Sequence, residues 1–443
     1  MRQKSTMILV LLMAIVLVLS ACSGGQKGNS GGDSGNANEG TANTGNANSG
    51  EGKSGEQVTV TLAGWGASPE EQELLSQTLR EFEEKYPNIK VKHEVIADQY
   101  MDVIKTRLIG GEGPDVFYLD AFEAPALMEL NVLEPLDGYV TADFDVADFE
   151  QPMVDAFKLN GATYGFPKDF STLAMFYNKK DFAEAGIASP PTTWEELEAA
   201  AAKLTKKEGD KVVRYGFGVA PELARQMFIV QAYGGQVSDG EGKAAFASPE
   251  ALQGLQRVVD MHLKAQTSGE PKDVGAGWGG EMFGQGKASI VFEGNWAIPF
   301  IDGTYPDLDY GTAEIPTMNG KKGTMAFTVA YVMNKQAKNK EAAWQLISYL
   351  TGKEGMKTWT SKGFALPTRK SVAAELGFDK DEFRGALVAG ASYATPWQAG
   401  ATLPTIMNNF NNQFIDAYMG NSSLEDAMRK AQDTANKEIE AAK

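Results

Sequence analysis

The residues that could do chemistry in this chain are aromatic and acidic rather than nucleophilic. The 443 residues contain two histidines, His93 in a predicted strand and His262 in a predicted amphipathic helix, and a single cysteine, Cys22. No Gly-x-Ser-x-Gly, His-Glu-x-x-His or phosphate-loop motif occurs. The sequence therefore predicts no catalytic residue, no metal site and no cofactor. The 58 acidic residues leave one enzymatic alternative open, a converging pair of carboxylates of the glycosidase kind.

Four of the seven tryptophans stand at breaks marked by glycine or proline, namely Trp65, Trp278, Trp296 and Trp397. The other three fall within helical patterns and are predicted to lie in the core: Trp194, Trp344 and Trp359. Aromatic rings pack against the flat C–H faces of sugars, whose hydroxyls need donors and acceptors nearby. An indole at a loop is also commonly a hydrophobic plug, so each tryptophan alone stays open between the two interpretations. Together they favour a carbohydrate site.

The net charge of −17 limits the possible partners. An acidic surface disfavours nucleic acid, whose phosphates require patches of lysine and arginine. It also disfavours a protein that lies flat on an anionic membrane. A cation, a polyamine or a peptide stays open as an alternative ligand.

The N-terminus has the pattern of an export signal. Arg2 and Lys4 precede an apolar run at 7–19, which is too short to span a membrane. The following Leu19-Ser20-Ala21-Cys22 resembles a bacterial lipobox. That resemblance implies a signal peptide at 1–21, cleavage before Cys22 and a lipid on its thiol. An ordinary cleaved signal with a buried or free Cys22 is the alternative.

Residues 23–56 consist mainly of glycine, serine, asparagine and charged residues, with no aromatic and no large aliphatic residue. Such a composition buries no apolar surface, so 22–56 is predicted to be a disordered tether behind the lipidated cysteine. The expected location is therefore extracytoplasmic, on a lipid anchor in the cell membrane.

The folded part begins at Gln57 and alternates strands with helices. Strands are predicted near 58–62, 89–96 and 115–119, with helices at 99–109 and 121–130 between and after them. This rhythm is typical of a parallel sheet with right-handed crossovers. Later segments are richer in helix, including 193–207, where residues 192–196 offer a capping box, and 223–233. The pattern predicts two α/β lobes.

Several blocks, in order, resemble the maltose-binding-like, oligosaccharide-binding family of extracellular solute-binding proteins of ABC importers. The blocks are 113–120, 166–170 with 173–179, 283–290 with 293–296, and 342–347 with Gly363 and Pro367. The resemblance implies a two-lobed fold of the type II periplasmic-binding-protein kind, in which each lobe is a mostly parallel sheet flanked by helices. The ligand cleft would lie between lobe 1 (57–167 plus 323–371) and lobe 2 (168–322 plus 372–443).

The same resemblance assigns candidate ligand-binding residues. Trp296 matches the family's stacking tryptophan, and Asp120 matches an acid at the cleft end of the third strand. Asp169 lies near the family's crossing carboxylate, although Ser171 takes the aligned place. Further contacts are expected at Trp65, Trp397, Glu293, Asn295 and Trp278.

Each acidic or amide candidate also has a structural interpretation. Asp120 could cap the helix that follows it. Asp169 could form a solvated ion pair with Lys168 or Lys179. Glu293 and Asn295 flank Gly294 and could shape its turn.

By resemblance, the expected function is the capture of a sugar or oligosaccharide by hinge closure near Pro167 and Gly323. The closed form, a monomer, would deliver its ligand to a membrane permease. The chain is therefore expected to be a binding protein and not an enzyme. A binding protein for another solute and a secreted glycosidase with two carboxylates are the alternatives.

Overall fold

The computed structural model of the chain describes residues 57–66 and 69–442. Its strands are β1 (Val58–Trp65), β2 (Ile89–Ile96), β3 (Val116–Asp120), β4 (Lys158–Leu159), β5 (Ala162–Thr163), β6 (Gly165–Thr172), β7 (Ala174–Asn178), β8 (Lys206–Glu208), β9 (Lys211–Gly218), β10 (Ser268–Gly269), β11 (Ala288–Glu293), β12 (Tyr310–Ala313), β13 (Met325–Met333) and β14 (Thr395–Pro396). The predicted signal peptide, Cys22 and the tether lie outside the described residues.

The helices are α1 (Pro69–Lys85), α2 (Tyr100–Gly110), α3 (Ala124–Glu129), α4 (Gln151–Asp155), α5 (Lys179–Glu184), α6 (Trp194–Leu204), α7 (Leu223–Ala232), α8 (Pro249–Leu263), α9 (Gly279–Gly284), α10 (Ala297–Thr304), α11 (Lys340–Leu350), α12 (Lys353–Thr360), α13 (Lys370–Leu376), α14 (Gly385–Gly390), α15 (Leu403–Tyr418) and α16 (Leu424–Ala441). Short 3₁₀ turns span Ala142–Phe144, Val146–Asp148 and Pro271–Val274. None of the helices within the described residues is both long enough and apolar enough to cross a membrane.

The strands form two large sheets, as the two-lobed α/β fold predicts. In the first sheet the order is β2-β1-β3-β13-β14, and β6 also pairs with β13. The β1–β2 and β1–β3 pairs are parallel, as expected for strands joined through α1 and α2. The long β13 runs antiparallel to both β3 and β6.

The second sheet has the order β10-β9-β11-β7-β12, with β8 paired to β9. It is mixed rather than mostly parallel. The pairs β9–β10 and β9–β11 are parallel, whereas β7 is antiparallel to β11 and β12, and β8 is antiparallel to β9. The β8–β9 pair must be antiparallel because a two-residue turn, Gly209-Asp210, is too short for a crossover.

Two connections between the sheets run side by side. Strand β6 of the first sheet continues into β7 of the second through Leu173. The Leu173 N–H donates to the carbonyl of Met325 at 3.1 Å, where β13 returns to the first sheet. The Thr324 hydroxyl donates to the Leu173 carbonyl at 2.7 Å. The lobe boundaries drawn at Pro167 and Lys322 remain predictions, since the change of sheet itself falls at Leu173.

Each sheet has its own apolar core. One cluster packs on the first sheet and includes Phe117 and Trp344. Two clusters pack on opposite faces of the second sheet, because Ile290 and Val291 are neighbours on one strand and belong to different clusters. The tryptophans assigned to the core, Trp194, Trp344 and Trp359, are all buried.

The predicted helices near 193–207 and 121–130 are confirmed but shorter than expected. Helix α6 starts at the predicted cap, where the Thr193 hydroxyl accepts from the Glu196 N–H at 3.2 Å and Glu196 accepts from the Thr192 N–H at 2.7 Å. It ends at Leu204 because 206–208 enters the β8–β9 hairpin. Strand β9, at the centre of this lobe's parallel pairs, was not predicted.

Candidate ligand-binding site

The second sheet presents the carboxyl ends of three parallel strands at one edge. Gly218 of β9 pairs with Gly269 of β10 and with Val291 of β11, so all three strands end at about the same level. Ligands of open α/β sheets bind at such edges, where loops leave the strands. Here Glu293 ends β11, and the loop that follows carries Asn295 and Trp296.

Trp296 directly precedes α10 and is partly buried. Its indole N–H donates to Oε2 of Glu293 at 3.1 Å, which fixes the ring beside the strand end. Its edge meets Phe327 of β13, with 5.5 Å between ring centroids and 74° between planes. A Cβ at Gly294 would come within 2.3 Å of the indole, so the turn requires glycine there. The predicted stacking residue therefore lies where the two sheets meet.

Glu293 forms a buried ion pair with an arginine that the sequence analysis did not single out. Its side chain is 2% exposed, and Nη2 of Arg225 lies 3.0 Å from its Oε2. Nη1 of Arg225 pairs with Glu222. Burial raises the pKa of Glu293, while the Arg225 charge opposes that rise. The Arg225 guanidinium also lies 5.9 Å from the Trp296 ring centroid, so an ion-paired cluster of one arginine and two glutamates lies beside the indole.

A cavity of about 380 Å³ opens beside this cluster. Its lining comes from the segments at all three strand ends, from α7 and from α15, and includes Glu222, Arg225, Glu270, Lys272, Trp278 and Glu293. Trp278 packs against Phe300 at 4.8 Å between centroids and forms one wall. The structure thus brings Glu293 and Trp278 together, in a space of the size that small-molecule ligands occupy.

Asn295 connects the strand end to distant backbone instead of shaping its own turn. It is 1% exposed, and its backbone N–H donates to Oγ of Ser171 at 2.8 Å. Its side-chain amide donates to the carbonyls of Gly363 at 2.8 Å and Phe364 at 2.9 Å. Asn295 therefore fastens the Trp296 loop to β6 and to the segment after α12, at the connections between the sheets.

The first sheet presents a second group of predicted residues at its own edge. Trp65 ends β1 and Asp120 ends β3, and these two strands are parallel neighbours. Val329 of β13 pairs with Asp120 on one side and with Asp169 of β6 on the other. Residues directly opposite each other in a sheet share a face, so the two aspartates lie on the same face with Val329 between them.

Asp169 forms its ion pair inside the protein, not on a solvated surface. It is 8% exposed, its Oδ2 contacts Lys168, and the indole N–H of Trp359 donates to the same oxygen at 2.9 Å. The Lys168 ammonium lies 4.1 Å from the Trp359 ring centroid and 4.9 Å from that of Tyr118. Lys179, the other expected partner, pairs instead with Glu382 at 2.5 Å.

Asp120 is not the cap of α3, since the N-cap residue of that helix is Glu123 and no side-chain cap hydrogen bond is present there. Its Oδ1 accepts from the Phe122 N–H at 2.8 Å, which holds the turn before α3. Burial raises the pKa of Asp120 to about 6, and the nearby Glu123 and Asp169 charges add to the rise. A carboxyl in this state titrates close to neutral pH.

The two remaining predicted aromatics are in different environments. Trp65 meets Tyr100 and Tyr118 edge-on, with centroids 5.3 and 5.2 Å away. Trp397 is 7% exposed and stacks on Phe122, which follows β3, at 5.7 Å and 13°. In this structure Trp397 is a packing contact between the segments that follow β14 and β3, two strands of the first sheet. Its role as a ligand contact stays a prediction.

Sequence reasoning missed one cation and two aromatic neighbours of the site, namely Arg225, Phe122 and Phe327. It named Lys168 only as a partner of Asp169 in a solvated ion pair. One local signal could have drawn attention to Arg225, because it is the single charged residue within the otherwise apolar and polar-neutral α7. A lone arginine in a helix that packs on a core needs an acidic partner. That partner, Glu293, lies 68 residues further along the chain.

Comparison with known proteins defines the class. Residues 66–357, more than half of the chain, match the model of the bacterial extracellular solute-binding protein family. The chain belongs to this family, whose description places its members outside the cytoplasm and makes them binding proteins rather than enzymes. A Brucella abortus relative described only as a binding protein is 30% identical over 331 residues, covering 72% of this chain and 77% of its own.

Relatives with named ligands agree with the class. An arabinooligosaccharide-binding protein of Bacillus subtilis is 24% identical over 379 residues, covering 82% of this chain and 80% of its own. Among solved structures, an ABC substrate-binding protein of Listeria monocytogenes in complex with cycloalternan superposes with a TM-score of 0.75 at 24% identity, covering 87% of this chain and 100% of that one. This similarity confirms the two-lobed fold.

Proposed function

We propose that this protein captures a sugar or oligosaccharide between its two lobes. The observation that carries the proposal is the Trp296 indole, partly buried at the meeting of the two sheets and fixed by Glu293. A fixed aromatic face beside carboxylate acceptors is what a sugar ring requires. The arabinooligosaccharide-binding relative and the cycloalternan-bound neighbour support the same ligand class.

The internal ion pairs of the acids favour a neutral ligand over a cation or a polyamine. Glu293 and Glu222 both pair with Arg225, and Asp169 pairs with Lys168. A polycation would have to displace these internal partners, and a buried carboxylate released from its partner is costly. Hydroxyl groups can instead share the lone pairs that the ion pairs leave open.

Closure about the connections at Leu173 and Met325 would complete the site, because it brings the edge with Trp65 and Asp120 against the edge with Trp296. The ligand would favour the closed form through contacts made to both edges at once. We further propose that the closed form delivers its ligand to an ABC permease and that a lipid on Cys22 holds the protein at the membrane. A diacylglycerol mass on the N-terminal peptide of the exported protein tests the anchor.

A panel of neutral mono- and oligosaccharides, titrated with calorimetry and tryptophan fluorescence, tests the capture function. We expect saturable binding of at least one sugar. Trp296→Ala should weaken that binding more than tenfold, because a buried stacking contact contributes about 1–3 kcal/mol. Trp296→Phe keeps a ring but loses the N–H to Glu293, so its loss should be smaller. If no sugar in the panel gives a saturable signal with the folded wild-type protein, the proposal is wrong.

A further inference from the structure

A small cavity behind Arg225, separate from the 380 Å³ cavity, contains polar groups that the protein does not satisfy. It measures about 20 Å³ and is lined by Trp194, Arg225 and Gln226, with apolar neighbours that include Phe217 and Phe292. One polar atom of each of the first three residues is buried: Nε1 of Trp194, Nε of Arg225 and Oε1 of Gln226. In the part of the chain that the structure describes, none of these atoms has a hydrogen-bond partner.

The donor and acceptor roles of these atoms are fixed by their chemistry. The indole N–H of Trp194 and the Nε–H of Arg225 only donate, whereas Oε1 of Gln226 only accepts. The Gln226 amide cannot simply be flipped, because its Nε2 donates to the Ala220 carbonyl at 3.0 Å. The cavity is therefore lined by residues that supply two donors and one acceptor.

We propose that one internal water molecule occupies this cavity and bridges Trp194, Arg225 and Gln226. A water needs roughly 10–15 Å³ of accessible volume and two to four polar partners, and the cavity meets both conditions. The water would accept from the two N–H groups and donate one of its hydrogens to Oε1. All three buried polar atoms would then be satisfied, as buried polar groups in native proteins normally are.

The water would also fix Arg225 beside the ligand site. The two terminal nitrogens of the guanidinium contact Glu222 and Glu293, and Nε is the remaining donor. With the water in place every guanidinium nitrogen has a partner, and the group is held 5.9 Å from the Trp296 ring centroid. Trp194 and Gln226 are thereby positioning residues for Arg225, and through it for Trp296. This second step rests on the proposed function.

A crystal structure at a resolution that shows ordered water tests the site directly. We expect one density peak within hydrogen-bonding distance of all three atoms, with or without a sugar bound. Absence of the peak, or side chains rotated so that the three atoms pair with protein groups, would overturn the proposal. Because this result does not depend on a ligand, it stands apart from any failure of the carbohydrate titrations.

Matched variants on α7 test the positioning role. Gln226→Met removes the Oε1 acceptor and the Nε2 hydrogen bond to Ala220 at similar volume. Gln231→Met, on the same helix but outside the cavity, removes the hydrogen bond that Gln231 accepts from Thr395. In Gln226→Met the water peak should disappear, and sugar affinity should fall by about tenfold, because Arg225 and through it Trp296 would be less well ordered before the sugar binds. Gln231→Met should keep the wild-type affinity even if its melting temperature falls. Equal affinities of the two variants, measured well below melting, would show that the cavity does not position the site.

Discussion

Each of the two sheets has an edge with a tryptophan and an acidic residue at strand ends, yet the acids at the two edges have different partners. At the second sheet, Glu293 is paired with Arg225, which comes from a separate helix. At the first sheet, Asp169 is paired with its sequence neighbour Lys168, whereas Asp120 accepts from a backbone N–H and has a pKa raised to about 6. The position of an acid at a strand end therefore does not determine whether it is ionised, because its hydrogen-bond and ion-pair partners also set its pKa.

This difference suggests that the two edges have different roles in the proposed ligand capture. The second edge is connected by ion pairs and by the hydrogen bonds of Asn295, so it offers a fixed aromatic platform. The first edge offers Asp120, an acceptor whose protonation changes near neutral pH. Preorganisation on one lobe lowers the ordering cost of the first contact, and the other lobe then adds contacts on closure.

Arg225→Met should produce the largest change. It leaves Glu293, which is 2% exposed, without its cation, and breaking one side of a buried pair typically costs about 3–5 kcal/mol. Denaturant unfolding should show a loss of this order in the free energy of unfolding. Lys168→Met at the first edge should cost less, because the Asp169 side chain is 12% exposed and Lys168 pairs with one carboxylate, whereas Arg225 pairs with two.

A double variant separates the ion pair from simple packing. Arg225→Met combined with Glu293→Gln removes both charges and should recover much of the lost free energy, as expected when no uncompensated charge stays buried. If the double variant is as unstable as Arg225→Met alone, the packing of the arginine stem, rather than its charge, stabilises the second edge.

The contrast between the edges also shows what the sequence could and could not predict. The strand–helix rhythm and the capping residues before α6 are local signals, and they gave the α/β lobes and that helix start correctly. The position of Trp296 followed from the family resemblance. The adjacent Lys168 was considered as a partner of Asp169, but the distant partners of the acids were not predictable, because the Arg225–Glu293 and Asp169–Trp359 contacts join residues 68 and 190 positions apart. Such pairs exist only once the sheets are assembled.

Trp359 is another residue whose polar contact the sequence did not predict, because it is a core residue and a hydrogen-bond donor at once. Its ring is buried as predicted, but its N–H serves Asp169. Trp359→Phe keeps most of the ring and removes that donor. We expect the free energy of unfolding to fall by about 1–2 kcal/mol, since a hydrogen bond to a buried carboxylate is lost. The control is Trp344→Phe, in which no hydrogen bond to Asp169 is at stake. An equal loss in both variants would attribute the effect to ring size.

Among these variants, Asp120→Asn should change the free energy of unfolding least, and it should raise that free energy rather than lower it. Because burial raises the pKa of Asp120 to about 6, the folded state holds a proton that the unfolded state releases between about pH 4 and 6. This contribution to stability is therefore greatest in acid and is lost as the pH rises through 6. Asparagine keeps an acceptor for the Phe122 N–H and does not titrate.

The variant should consequently match the wild type near pH 4 and exceed it by about 1 kcal/mol near pH 7, a value reduced by partial solvent access. Denaturant unfolding across this range measures the difference. Asp155→Asn is the matched control, because burial would raise the pKa of Asp155 but hydrogen bonds from Lys158 and Gln151 lower it below the usual value. The wild type should be more stable than Asp155→Asn near neutral pH, and this difference should be lost in acid. If Asp120→Asn is less stable than the wild type at neutral pH, the surroundings of Asp120 stabilise its carboxylate in the folded state, and the contrast between the two edges fails.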